Sequence, residues 1–352
     1  MKKTINKLKQ VNLRRPKKEE IDPIKEAPKI TNQTVAEHRE EVLSKARKYI
    51  YPLQQSKHKI VLITTTLFIV ALVGFFGYTT FALYRSKSYS TFLYGVTKVI
   101  PFPIAKAGDD FVAYENYLFE LKRYIHFYQN QQKLDINSES GKQQLAEFKK
   151  RALDMVVEDA YIKQLAKQNK VSVSNKEVED EIQVARNQNR LGSNERKFED
   201  ILRENWGWSI NDFRRSLKQQ LLAQKLLPVL DPETAKRADA ALAELKGGAD
   251  FAAVAKKYSD DVGTKDNGGE YGIPISKTSP DVPAKASDAL YKLKQGEYSG
   301  VINTGYSLEI VKNIEPQSDK IRAAHIVFNF KDINTYVNDL KDQKKARLFI
   351  RP

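Results

Sequence analysis

Four histidines, His38, His58, His126 and His325, are the side chains of this sequence that ordinarily titrate near neutral pH. No two of them stand at metal-ligand spacing, so neither a metal nor another cofactor is expected. Cysteine is absent, which excludes thiol catalysis and a disulfide framework. There are no zinc pairs, no glycine-rich phosphate loop and no RNA-binding signature, so nucleic acid is not an expected partner despite a net charge of +15. Carboxylates and single histidines remain, and their use depends on the elements that position them.

Much of the positive charge lies at the N-terminus. Residues 1–59 carry about 16 Lys and Arg against about 7 Asp and Glu, followed by an uncharged run at 60–84, IVLITTTLFIVALVGFFGYTTFALY. Lys57 and Lys59 stop that run on one side, Arg85 and Lys87 on the other. About 20 apolar residues cross a bilayer core, so 60–84 reads as a transmembrane helix. The positive-inside rule keeps the tail cytoplasmic and sends the C-terminal bulk outside. The alternative is a cleaved signal peptide, but no A-x-A-like site follows the run.

The chain has 352 residues, enough for two or three domains. Residues 1–35 lack apolar periodicity and read as disordered; 36–52 could form a short charged helix. Residues 85–109, with Pro101 and Pro103, read as an extended juxtamembrane linker. From 110 to 230 the period is helical. Tyr114, Tyr117, Leu118, Leu121, Ile125 and Tyr128 form one apolar stripe, and a second helix spans about 141–169. Ser174 with Glu177 makes a capping box for a third helix ending near 190. Two more cover 195–205 and 209–227, the latter capped near Ser209 or Asn211. Phe111, Tyr114, Tyr117 and Tyr124 are expected in the core, and Trp206 and Trp208 at its core and rim.

Asp231–Pro232 opens a second module, 231–330, with two short helices split at Gly247–Gly248 and a turn cluster at 266–272. YSLEIVKNI and RAAHIVFNF read as neighbouring antiparallel strands. A helix and a strand-like stretch close the chain. The fold class is α+β.

FAAVAKKYSDD, GGEYG and ALYKLKQGEYSGVINTGYSLEIVKN follow one another at a spacing that resembles the parvulin peptidyl-prolyl isomerase family, over about 233–314. The helical stretches before it resemble the chaperone domain of SurA- and PrsA-like foldases. YVNDLKDQKKARLFI is similar to the terminal helix and strand that complete that domain, so 333–352 is expected to join 110–230.

The resemblance implies an apolar proline pocket backed by two histidines and a Cys or Asp. Asp261 falls on the Cys/Asp position, with a plain loop carboxylate as its other reading. Tyr271, Val282, Ala286 and Tyr291 fall at substrate-binding positions; Val282 and Ala286 are smaller than the usual Met and Phe. Glu309 replaces the histidine of the last strand and cannot both donate and accept as neutral imidazole does. The leading histidine is missing, because LLPVLDPE stands in its place. RAAHIVFNF resembles the missing leading strand but follows the module, which implies a permuted order with His325 as the surviving histidine; the other reading is a strand residue with no chemistry.

Two functions follow. One is a membrane-anchored, extracytoplasmic foldase that isomerises X–Pro bonds in secreted clients. The alternative is a catalytically inactive parvulin-like chaperone or scaffold that only binds unfolded chain. Expected partners are unfolded or proline-containing polypeptides and membrane lipid through one helix; nothing in the sequence fixes the oligomeric state.

Overall fold

The computed structural model describes residues 30–50, 52–187 and 194–351. Of the stretch 1–35, expected to be disordered, residues 1–29 lie outside the described residues, as does the expected end of the third helix near 190, while residues 32–35 are helical and start the charged helix four positions earlier than expected. The chain divides into two compact units, 1–76 and 77–352.

The first unit holds helix α1, Asn32–Ile50, and most of α2, Pro52–Thr80. α1 has no buried residue. It opens on a reciprocal pair in which the Thr31 and Thr34 side chains each accept the other's backbone N–H. α2 begins with a proline, whose fixed φ and missing N–H suit a first helical position. Lys59–Arg85 is the stretch among the described residues that is long and apolar enough to cross a membrane.

In the second unit the run ends in a π-helical turn, Phe81–Arg85, and does not pass into a linker. Ala82 and Leu83 are buried in the same core as Leu93, Ile104 and Tyr117. The Tyr114 hydroxyl donates to Leu83 O at 2.7 Å, and the Tyr84 hydroxyl donates to Pro103 O at 2.5 Å. Residues 85–109, expected as a linker, instead fold into α3, Thr91–Val99, capped by Ser90, and strand β1, Pro103–Ala107. β1 turns through Gly108 (φ +56°) into the antiparallel β2, Asp110–Ala113. These elements are short, and the second edge of β1 is covered by residues 347–348 from the far end of the chain, so local periodicity does not announce them.

Five helices follow: α4 (Tyr114–Asn130), α5 (Glu139–Gln168), α6 (Asn175–Asn187), α7 (Glu195–Trp206) and α8 (Ile210–Leu230). The expected stripe on α4 is buried at Tyr114, Tyr117, Leu118, Leu121 and Ile125. Phe111, expected in the core, is 67% exposed, because it sits on the outer face of β2. Ser174 and Glu177 exchange backbone N–H bonds as a capping box, and Ser209 does the same with Asp212. α8 runs three residues past the expected 227, taking Pro228 into its last turn.

The module begins with α9 (Pro232–Lys246) and α10 (Phe251–Tyr258). Then come β3 (Ile275–Ser276), α11 (Ala284–Leu290), β4 (Ile302–Asn303), β5 (Ser307–Gln317) and β6 (Lys320–Asn329). The sheet is antiparallel, in the order β3-β6-β5-β4. Alternation sends Leu308, Ile310, Ile326 and Phe328 to one face, packed on α9 and α10. Glu309, Val311, Ala323 and His325 take the other face, where α11 and the 259–283 segment lie.

The chain then returns through α12, Ile333–Gln343, and β7, Arg347–Leu348. Val337, Leu340 and Ile350 enter the helical core, and β7 pairs with β1. Where the two parts join, the buried Asp231 carboxylate caps α9 and also accepts the backbone N–H of Lys331 at 3.0 Å.

Because Leu83 is fully enclosed, Leu83→Ala should lower the stability of the helical domain by about 2–5 kcal/mol. Leu67, in the same apolar run but 63% exposed, should tolerate alanine with little loss. Urea unfolding of both full-length variants in detergent, followed by tryptophan fluorescence, measures the difference.

Candidate active site

The segment after α10 is stitched to the free edge of β6. The Ser259 hydroxyl oxygen accepts the Val327 N–H at 3.1 Å, and the Asp260 N–H donates to Val327 O at 2.8 Å. The Asp260 carboxylate accepts the Asn329 N–H and is gripped by the Arg237 fork at 2.6 and 3.2 Å. These bonds leave the next residue, Asp261, facing the imidazole of His325.

Asp261 Oδ2 lies 2.8 Å from His325 Nε2 and accepts the Thr264 hydroxyl at 2.5 Å; Oδ1 accepts the Gly263 N–H at 3.0 Å. Thr264 Oγ1 is also 3.1 Å from Nε2. An ionised carboxylate only accepts, so this network assigns the proton of Nε2 to the imidazole and turns Nδ1 the other way. Burial pushes the Asp261 carboxyl up, but the bonds from Thr264, His325 and Gly263 together hold it below the usual carboxylate range.

Nδ1 points toward Glu309 of β5. Its distance to Glu309 Oε2 is 3.8 Å, beyond a hydrogen bond. Both residues are buried. The other Glu309 oxygen, Oε1, has only long bonds, 3.3 Å from Thr304 and 3.4 Å from Ser307. Tyr271 lies on His325 with ring centroids 4.2 Å apart. Its hydroxyl, Glu309 Oε2 and His325 Nδ1 are all buried without a hydrogen-bond partner. Each such atom costs about 1–3 kcal/mol, and this cluster holds three of the six side-chain atoms in that condition among the described residues. Burial pushes the Tyr271 hydroxyl pKa up, and the nearby Glu309 and Asp261 charges push it further, so it keeps its proton as a donor.

The loop carrying Tyr271 depends on Gly269. Its φ is +81°, its C=O accepts the His325 N–H at 2.8 Å, and a Cβ there would lie 2.2 Å from His325 O. Glu270 then bridges to Ala324, and the Tyr271 N–H donates to Ala323 O.

The structure thus brings together Asp261, His325, Glu309 and Tyr271. Val282 and Ala286, expected to line an open pocket, are 1% and 0% exposed. They pack with Ile275, Leu290, Val311 and Ile321, because side chains this small let α11 close onto the sheet. Tyr291 is a strut, its hydroxyl 2.9 Å from the carbonyl oxygens of Ile275 and Asp319. Thr264, Ser259 and Gly269 were not singled out from sequence. The one local signal was the Asp-x-Gly-Thr spacing, in which a carboxylate bonds residues two and three positions on. Among the described residues no group of three His, Cys, Asp or Glu side chains could hold a metal.

A second feature lies in the helical domain. A cavity of about 790 Å³ is walled by Phe119, Tyr124, Trp206, Trp208 and Phe213, with Arg123 and Arg215 among its charged residues. Trp208 stacks on Phe119 at 5.4 Å, and the Arg215 guanidinium lies 4.4 Å from the other ring of that pair, Phe119. The tryptophans are therefore half-exposed walls of a cavity. Asp159 lines it too, its carboxyl pushed up to about 6 by burial, with Lys163 pulling it down and Glu120 pushing it up.

An antiparallel sheet with helices on both faces and a histidine–aspartate pair across one of them, joined to a helical domain, defines a class: a parvulin-type isomerase fold on a chaperone-like helical body. Comparison with known families agrees. Residues 52–227, half the chain, match the SurA-like N-terminal domain, and 230–315 match the PPIC-type PPIASE domain. The chain belongs to the SurA-like N-terminal domain family and carries a parvulin-type domain beside it. The second match stops before β6, so the strand with His325 lies outside it.

Foldase protein PrsA of Caldanaerobacter subterraneus subsp. tengcongensis is 30% identical over 187 residues, 49% of this chain and 59% of that protein. Chaperone SurA of Yersinia pestis bv. Antiqua is 32% identical over 129 residues, 34% of this chain and 29% of that one. This chain therefore spans less than two thirds of either relative. The crystal structure of foldase protein PrsA from Streptococcus pneumoniae str. Canada MDR_19A is 20% identical, covering 67% of this chain and 82% of that one, with a TM-score of 0.20, too low to bear on the arrangement here.

Asp159 binds its proton more tightly folded than unfolded, so its contribution to stability is full below about pH 4 and is lost as pH rises toward about 6. Urea midpoints across pH 4–7 should therefore fall more steeply for the native chain than for Asp159→Asn, with the two curves parallel above pH 7.

Proposed function

We propose that this chain is a membrane-anchored, extracytoplasmic foldase, with a peptidyl-prolyl isomerase site on the 231–330 module and a client-holding surface on the helical domain formed by 110–230 and 333–352. In this reading 60–84 crosses the membrane and 1–59 stays in the cytoplasm. The observation that carries the catalytic part is the 2.8 Å contact between Asp261 and His325, fixed by Thr264.

Isomerisation needs no covalent step. The barrier of about 18–20 kcal/mol is amide resonance, which is lost as the bond twists. A site accelerates the reaction by binding that twisted state better than either planar one. Here Asp261 and Thr264 fix the imidazole, and the Tyr271 hydroxyl beside it is a buried, unpaired donor that a substrate carbonyl would reach only if the loop carrying Tyr271 opened. Uncatalysed X–Pro isomerisation takes tens to hundreds of seconds, long enough to limit the folding of an exported chain. The aromatic cavity of the helical domain, whose charged rim is balanced between basic and acidic side chains, suits extended segments with apolar side chains.

A second reading has its own support. Glu309 stands where the resemblance implies a histidine, and Val282 and Ala286 are closed in. A module that binds clients without turning them over fits both facts.

Full-length protein in detergent, mixed with an Ala–Pro peptide and followed by NMR exchange, separates the readings. Catalysis is expected, and Asp261→Ala should reduce it about 10- to 100-fold, the worth of one charge-assisted hydrogen bond of about 1.5–3 kcal/mol. No exchange enhancement, together with suppressed aggregation of an unfolded client, would select the binding-only reading. For topology, protease added to intact cells should digest residues beyond 85 and spare an epitope placed in 1–59; the reverse pattern would refute the orientation.

A further inference from the structure

We propose that the face of the helical domain carrying α3 lies on the membrane surface and binds anionic lipid headgroups. The inference rests on the reading of 60–84 as a membrane span. It begins from how that run ends. Thr79, Ala82 and Leu83 are all enclosed by protein, so about 19 residues, 60–78, remain for lipid. At 1.5 Å per residue they cover about 28 Å, close to the roughly 30 Å of a hydrocarbon core. The domain therefore starts at the edge of the apolar layer. Only Ser86–Ser90 separate the π-helical turn from α3, a reach of at most about 17 Å.

The residues held at that distance suit an interface. α3 buries Leu93 and Thr97 toward the core and leaves Phe92 57% and Val99 83% exposed. Lys98 and Lys122 place their ammonium groups 4.3 and 5.3 Å from the Tyr94 ring, and Lys149 places its own 5.4 Å from the Tyr89 ring. Burial and the neighbouring Lys98 lower the pKa of Lys122; burial and Lys87 lower that of Lys149. Two pairs of lysines, Lys98 with Lys122 and Lys87 with Lys149, thus lie along this face; Lys122 also donates to the Thr91 hydroxyl at 3.0 Å, and none of the four makes a salt bridge among the described residues. The carboxylate beside Tyr94, Glu115, is already held by the Arg215 fork at 2.7 and 2.8 Å. Exposed apolar side chains, tyrosines and unpaired cations beside the end of a span form the pattern of a membrane interface, where phosphates offset clustered positive charge.

The sequence lacks cysteine, so single cysteines can report position. Full-length Phe92→Cys, Val99→Cys, Val70→Cys and Asp266→Cys, each carrying a bimane fluorophore, would be reconstituted into vesicles of brominated phosphatidylcholine with and without phosphatidylglycerol. Position 70 should be quenched in both mixtures and position 266 in neither. Positions 92 and 99 should be quenched when phosphatidylglycerol is present, and the added changes Lys98→Gln, Lys122→Gln and Lys149→Gln should abolish that quenching. Quenching at 70 with none at 92 and 99 in the anionic vesicles would overturn the inference while leaving the anchor intact. No quenching at 70 would overturn both.

Discussion

β6 must be paired along both edges before anything at the candidate site can meet. β5 covers one edge over nearly its full length. The other edge is shared in succession: β3 at Ile321, the Glu270–Tyr271 pair at Ala323 and Ala324, Gly269 at His325, and Ser259–Asp260 at Val327. An unpaired backbone group in such a place costs as much as a lost hydrogen bond. Satisfying the strand therefore also brings Asp261 to the Nε2 edge, and Tyr271 against the ring, of one imidazole. That juxtaposition is a by-product of completing a ladder, and the glycine at 269 is the point where no side chain fits between loop and strand.

The same economy governs the helical domain. Its core is not closed by α4, α5 and α8 alone. The last turn of the apolar run supplies Leu83 from one side, and α12 with β7 supplies Val337, Leu340 and Ile350 from the other. Non-local pieces of chain are worth their ordering cost only because each buries apolar surface that the helices leave open.

Sequence made a good deal of this legible. The stripe from Tyr114 to Ile125, the Ser174 and Ser209 boxes and the two β-rich runs are patterns within a dozen residues, and each appears where local physics puts it. Asp261, Glu309 and His325 were reached by motif, and their meeting required only that the strand after 320 return beside 307–317. Residues 85–109 were illegible for the opposite reason: β1 and β2 are too short to show alternation, the second edge of β1 is covered from about 240 positions away, and the core that holds Leu83 is built from helices farther along the chain. Val282 and Ala286 fall at positions where the family pattern leads one to expect a pocket, yet they are packed between α11 and the sheet, and no local pattern reports how closely a helix settles. Thr264 and Ser259 belong to hydrogen-bond closure across the fold, which single-residue reading does not reach.

The bond between Asp231 and the Lys331 amide has a bearing on the order of events during folding of the chain. A helical body interrupted by about 100 residues must bring the two cut ends back together, and for a floppy insert that closure costs about 4 kcal/mol of chain entropy. If the insert collapses first, its own sheet delivers residue 331 to residue 231, and the ends arrive already clasped. Maturation of the helical body then waits on the insert, so the part of this protein that would assist the folding of other chains becomes the template on which its own remaining half assembles.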